Sequence, residues 1–247
     1  MSANKGALKL HYEFDHSGNI PSFLAITTAK RHEISVAREL LTLIPDSIYC
    51  MDKGYTDFAW YRRIHDAKAF FVTRIRKNAL YRITGQHPTN KNKGVLLDAQ
   101  IELAGSYTPK TYPYPLRLIR YYDAENHKTF DFITNHLHLS ALTIAQIYKA
   151  RWQIESFFKW IKQNLKIKTF LGTSKNAVLS QVWVAMCYYL LLAYIKYQSK
   201  YRYSLFYLHR IIRETLLDRL TLIDLLNLSY GRLPSIKAQD SQLCLQL

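Results

Sequence analysis

The sequence predicts an α/β protein with a β-rich middle and a helical C-terminal part. Strand and helix patterns alternate through residues 1–76. Four of the seven prolines (Pro88, Pro109, Pro113 and Pro115) then fall between 77 and 139, among short alternating apolar segments. After Ser140 the apolar spacing is helical almost throughout. The expected divisions are therefore 1–76, a β-rich insertion at 77–139, a helical part at 140–230 and a tail at 231–247.

Taken in order, ALKLHYEF (7–14) alternates as a strand, DHSGN (15–19) is turn-forming, and IPSFLAITT (20–28) returns as a second strand, which together predict a hairpin. Helical spacing runs from Glu33 to Ile44, where Pro45 is expected to end it. SIYCMD (47–52) reads as a short apolar strand with Asp52 at its C-terminal end and Gly54 in the turn beyond. A helix near Asp57–Ala67 and a strand at Ala69–Ile75 follow. VLLDAQIEL, PLRLIRYY and KTFDFIT supply the short strands of the insertion. Helices are expected at 141–168, 176–200 and 204–227, with a loosely held tail after Gly231.

At 247 residues, 49% of them hydrophobic, the chain can bury a sizeable core and is not a disordered tail. Thirty-four Lys and Arg against 18 Asp and Glu give a net charge of +16. Such an excess points to a polyanionic partner, nucleic acid first, with a merely solvated basic surface as the alternative. The 19 Tyr fit base stacking in part, although most are expected in the core and sheet. Cys50, Cys187 and Cys244 are odd in number and lack metal-type spacing, which argues against structural disulfides and zinc and fits a reducing cytoplasm. MSANKGALKL lacks the apolar run of a signal peptide. The uncharged stretch Val182–Ile195 is fourteen residues long, short for a bilayer span and suited to a core helix, so no membrane partner is expected.

The helix expected over 141–168 opens at a capping pair, Thr143 and Gln146, or one turn earlier. Ile147, Ile154, Phe158, Ile161 and Leu165 form its apolar stripe. Tyr148, Arg151, Glu155, Lys159, Lys162 and Lys166 fall within an arc of roughly 80°, so one acid sits inside a basic stripe. Two readings of Glu155 stand. In one it is the centre of ordinary i,i+4 ion pairs with Arg151 and Lys159, each worth about 0.2–0.5 kcal/mol. Alternatively it binds a divalent cation while the bases hold phosphates, since magnesium takes one or two carboxylates plus the substrate's phosphate oxygens. Asp52, at a strand end, is the kind of second carboxylate this requires, or else it is a turn or cap residue.

MDKGYTDF (Met51–Phe58) resembles the D-[RK]-G-Y-x-D-F stretch around the second catalytic aspartate of bacterial insertion-sequence DDE transposases. Tyr148, Arg151, Glu155 and Lys162 match the Y-R-E-K signature of the insertion-sequence-four family at its spacing, and KGALKLH (5–11) is similar to the family's segment after its first catalytic strand. The resemblance covers most of residues 5–196. It implies a ribonuclease-H-like core formed by 1–76 and 140–230, with the β-rich insertion between the second Asp and the Glu. It implies that Asp52 and Glu155 are catalytic carboxylates binding Mg2+ or Mn2+. It also implies that Tyr148, Arg151 and Lys162 contact transposon-end DNA, to which Lys159 and Lys166 of the basic stripe are added. The chemistry implied is metal-assisted phosphoryl transfer. The expected partners are double-stranded DNA, both transposon ends and target, and a second copy of the chain in a synaptic complex.

One departure stands out. In this family a first aspartate lies on a strand ahead of the segment matching KGALKLH, and here only Met1–Asn4 precede that segment. The first aspartate and the first, central strand are therefore expected to be absent. Asp15 lies in a turn where Asp is favoured for ordinary reasons, and Glu13 has no better claim. The expectation is a C-terminal part of a transposase that is inactive or poorly folded alone. The alternatives are a DNA-binding or inhibitory fragment without catalysis and, ranked last, a membrane or partner-binding helical protein built around Val182–Ile195.

Overall fold

A computed structural model describes residues 8–16, 20–28, 30–105, 107–164, 172 and 174–215. Strands β1 (Leu8–Asp15) and β2 (Ile20–Thr28) pair antiparallel as a two-stranded sheet of their own, as the alternating pattern predicts. Helix α1 (Glu33–Leu40) stops well before Pro45, and Leu41 is already extended. The reason is tertiary. Leu41 and Leu43 pack on the core, and the Ile44 amide donates to the Tyr49 hydroxyl at 2.8 Å, so an extended segment satisfies more groups than another helical turn would.

Next come β3 (Ile48–Cys50), α2 (Phe58–Asp66), β4 (Phe70–Arg74), β5 (Tyr81–Gln86), β6 (Val95–Leu103), the single turn α3 (Thr108–Thr111), β7 (Leu116–Asp123) and β8 (Lys128–Thr134). Six of these strands form one sheet in the order β3-β4-β8-β7-β6-β5, in which only β3 and β4 run parallel. The strands of segment 77–139 thus continue the sheet that β3 and β4 begin.

Strand parity divides the core between two faces. Tyr49, Phe71, Leu116, Leu118 and Ile133 face Trp60, Tyr61 and Ile64 of α2. Val72, Ile119 and Phe132 face Ala141, Ile144, Ala145 and Tyr148 of α4 (Ala141–Ala150). Two polar devices secure the passage into α4. Asn135, just past β8, accepts from the Phe71 amide at 2.8 Å and donates to the Ala69 carbonyl at 2.9 Å, so its side chain prolongs the ladder beside β4. Arg117, buried on β7, grips Asp98 with two hydrogen bonds of 2.7 and 2.6 Å and donates to the carbonyls of Leu137 and Leu139. Ser140 then caps α4, its hydroxyl accepting from the Thr143 amide at 3.0 Å, which puts the start one turn ahead of Thr143.

The helix expected over 141–168 is two helices. α4 ends at Arg151 and α5 covers Trp152–Asn164. The Arg151 amide bonds to the Tyr148 carbonyl and the Ile154 amide to the Arg151 carbonyl, both at 3.1 Å, so the turn is tightened to three-residue steps. A face reckoned at constant angle cannot cross this break. Tyr148, expected on the basic stripe, is buried against the sheet, and the apolar side of α5 is carried by Phe157 and Ile161 rather than Phe158.

The chain divides into compact units at 1–155 and 156–247. In the second unit, α6 (Lys175–Gln198) and α7 (Leu205–Thr215) bury Leu192, Tyr201, Leu208 and Ile211 together, and the Tyr188 hydroxyl meets His209 Nδ1 at 2.9 Å. The fourteen-residue run expected to be too short for a span lies within α6, a helix of 24 residues that is long and apolar enough to cross a membrane by length and composition. One side of α6 packs as a core helix does, burying Val182, Ala185, Met186 and Tyr189. Residues 216–230 of the expected last helix and the tail 231–247 lie outside the described residues.

Asp98→Ala leaves the Arg117 guanidinium buried without its carboxylate and is expected to cost about 3–5 kcal/mol, read as a shift of the urea midpoint. Ser140→Ala removes only a cap and is expected to cost about 1 kcal/mol in the same measurement.

Candidate functional site

The site begins with the register of two parallel strands. Cys50 of β3 lies opposite Val72 of β4, and the Met51 amide donates to the Val72 carbonyl at 2.9 Å. Two residues further along each strand come Asp52 and Arg74, which by parity share the face covered by α4. Arg74 Nη2 donates to Asp52 Oδ1 at 3.2 Å. The motif's two aspartates have different tasks. Asp57 is the helix cap: it accepts from the Trp60 amide at 2.8 Å and is ion-paired to Arg38. Asp52 makes no cap bond with its side chain, and only its carbonyl is used in the following turn, accepting from the Tyr55 amide at 2.9 Å.

From the helix side, Tyr148 in the last turn of α4 stacks at a tilt on Phe132, ring centroids 4.7 Å apart, and its hydroxyl reaches Asp52 Oδ1 at 3.4 Å. Cys50 Sγ lies 3.6 Å from the Ile147 carbonyl, tying β3 to the same helix turn. The guanidinium groups of Arg74 and Arg151 both lie over the Tyr148 ring, at 5.9 and 5.6 Å. Arg151, at the helix break, points a nitrogen at Glu155 Oε1 at 3.2 Å, which is one of the two ion pairs anticipated for Glu155. Asp52 and Glu155, one past a strand end and the other beyond the helix turn, are thus tied into one network by Tyr148 and Arg151.

Burial alone pushes the Asp52 carboxyl up, but the Lys53 amide, Arg151 and Arg74 together outweigh it and hold the group below the ordinary aspartate value. For Arg151, burial works against the charge, yet Tyr148, Asp52 and Glu155 leave its pKa above the usual value. Burial drives the Tyr148 hydroxyl up despite the two arginines, so it remains a donor. Burial also pushes the Cys50 thiol up to about 12, which makes it a packing group and not a metal ligand at neutral pH.

These residues suit a hard divalent cation. Asp52 and Glu155 offer carboxylate oxygens, and their side chains are 47% and 48% exposed, open enough for an ion that keeps waters or takes phosphate oxygens. The contacts from Arg74 and Tyr148 to Asp52 both fall on Oδ1. Among the described residues no group of three or more His, Cys, Asp or Glu is gathered as a metal cluster. Glu13 is engaged within the hairpin, accepting from Ser22 at 3.0 Å.

Of the other expected site residues, Lys159 is exposed on the part of α5 belonging to the second unit, Lys162 lies on the same helix, and Lys166 is outside the described residues. Arg74 was not foreseen. The sequence signal for it is the parity match between SIYCMD and AFFVTRI, which becomes informative only once the two strands are known to be parallel neighbours.

Residues 2–191 match the family model described as "Transposase DDE domain". The chain is 38% identical over 189 residues to the Sinorhizobium fredii protein named transposase y4zB, covering 75% of this chain and 52% of that protein. It is 29% identical over 203 residues to the Geobacillus stearothermophilus protein named as transposase for insertion sequence element IS5377, covering 79% and 51%. It is 25% identical over 182 residues to a Synechocystis protein named as transposase for insertion sequence element IS4SA, covering 71% and 49%. The chain spans about half the length of these curated relatives. With a family match across more than half of its residues, this chain belongs to the transposase DDE domain family.

Proposed function

We propose that this chain is a catalytic portion of an insertion-sequence transposase of the insertion-sequence-four type, with a ribonuclease-H-like core, acting on double-stranded DNA in the cytoplasm. The observation that carries the reading is the junction of Asp52 and Glu155 through Tyr148 and Arg151, two carboxylates beside cationic groups. Asp52 and Glu155 would hold Mg2+ or Mn2+. When bound, such an ion supplies Lewis-acid activation of water and charge neutralisation at phosphorus. The protein's own contribution is orientation. Tyr148 and Arg74 fix the Asp52 carboxylate, and Arg151, pinned over the Tyr148 ring, fixes Glu155. Lys159, Lys162 and Lys166 are read as phosphate contacts that set register without reading bases. A second copy of the chain would complete a synaptic pair. Within this reading, 1–76 and 140–230 form the core, 77–139 is the inserted β-rich segment and 231–247 is a tail.

A second reading is a DNA-binding or inhibitory protein without cleavage. It is favoured by the ion pairs themselves, since each carboxylate is already held by an arginine at 3.2 Å. Strand cleavage of a transposon-end duplex separates the two. Incubated with Mn2+, the 247-residue chain is expected to bind the duplex in either case. Cleavage that disappears in Asp52→Ala and Glu155→Ala supports the first reading, and binding without cleavage supports the second.

DNA binding itself is expected to be strongly salt-dependent. Replacing Lys159, Lys162 and Lys166 together by Ala should lower the slope of log affinity against log salt by about three, at ~0.9 per lost phosphate contact. A fluorescence-anisotropy titration at several salt concentrations reads this, and an unchanged slope would remove these lysines from the interface.

A further inference from the structure

We propose that Arg74 changes partners during the reaction: it neutralises Asp52 in the protein alone and passes to a DNA backbone phosphate when a divalent cation takes the Asp52 carboxylate. This rests on the reading of Asp52 as a cation ligand. Arg74 is the last residue of β4, paired in the ladder with Phe132, so its backbone is fixed by the sheet. Its side chain is tethered at two points, Asp52 Oδ1 at 3.2 Å and the face of the Tyr148 ring at 5.9 Å.

The guanidinium is only partly satisfied. Nη2 makes its one side-chain hydrogen bond among the described residues, and Nε is buried without a partner. An arginine has five donors in a planar fork shaped for carboxylate or phosphate. The side chain of Arg74 remains about one-third exposed (35%), against 14% for Arg151, so Arg74 is the more accessible of the two to a strand lying on the site. A dication on the Asp52 carboxylate, through either oxygen, stands within a few ångströms of the guanidinium at Oδ1 and repels it. Ion binding therefore releases the end of the fork while the Tyr148 ring keeps it in place. A strand phosphate, arriving with the substrate, is then its best remaining partner.

The two roles pull two measurements in opposite directions. With the purified 247-residue chain, Mn2+ binding is followed by the paramagnetic resonance signal of free Mn2+, and duplex binding by anisotropy of a labelled transposon end. Arg74→Gln is expected to bind Mn2+ roughly three- to tenfold more tightly, because a competing cation is gone. It is expected to bind the duplex about tenfold more weakly, with a salt slope smaller by about one. A merely structural role would weaken both together, and that result, or no change in either, overturns the proposal. Arg74→Met, which keeps the stem, is read in the same way should the Gln variant fail to fold. Asp52→Ala separates the failures. If it binds Mn2+ as well as the parent chain, Asp52 is not a cation ligand and both readings fall. If it loses Mn2+ while the Arg74 variants behave as the parent, only the partner exchange fails.

Discussion

The parallel pairing of β3 with β4 is the constraint on which the site depends. β3 is three residues long and ends at Cys50, yet its register against Val72 decides where Asp52 stands. A slip of one residue would turn Asp52 to the opposite face, among the side chains that pack against α2, and leave Arg74 opposite a different neighbour. The Met51 amide, bonded to the Val72 carbonyl, carries the pairing one residue past the strand. Cys50 does the same work on the side of α4, where its sulfur meets the Ile147 carbonyl.

Around this register the chain spends buried polar groups on placing α4. Asn135 completes the ladder beside β4, and Arg117 with Asp98 holds the carbonyls of Leu137 and Leu139 immediately ahead of the Ser140 cap. A buried ion pair is seldom a net gain over apolar packing, but its directed hydrogen bonds can fix one loop geometry. Here the geometry fixed is the entry into the helix that presents Tyr148 to Asp52. The tightened turn at Arg151 completes the placement. Arg151 lies over the Tyr148 ring at this turn and keeps the ordinary i,i+4 contact with Glu155 across it.

The same features explain how much was legible beforehand. The hairpin, β3, α2, β4 and α6 could be read from alternation and helical spacing, because each is amphipathic or apolar in the manner its period requires. The motif MDKGYTDF and the spacing of Tyr148, Arg151 and Glu155 singled out the two candidate carboxylates, which the structure joins through Tyr148 and Arg151. Three matters were not legible. The early end of α1 follows from packing of Leu41 and Leu43 and from the Tyr49 hydroxyl. The break at Arg151 has no proline or glycine to announce it. Membership of β5–β8 in the sheet of β3 and β4 is a matter of long-range pairing, which local composition does not encode.

The sequence by itself determined the family, the cationic surplus of the chain, and which two acids, Asp52 and Glu155, stand as candidates for the chemistry. Motif spacing survives in one dimension because neighbouring residues within a helix or turn hold fixed relative positions. Only the tertiary structure decided that Asp57 and not Asp52 caps α2, that Tyr148 is buried, and that Arg74 is the partner of Asp52. The last two depend on strand order and register, which bring together groups that are distant along the chain and adjacent only after folding.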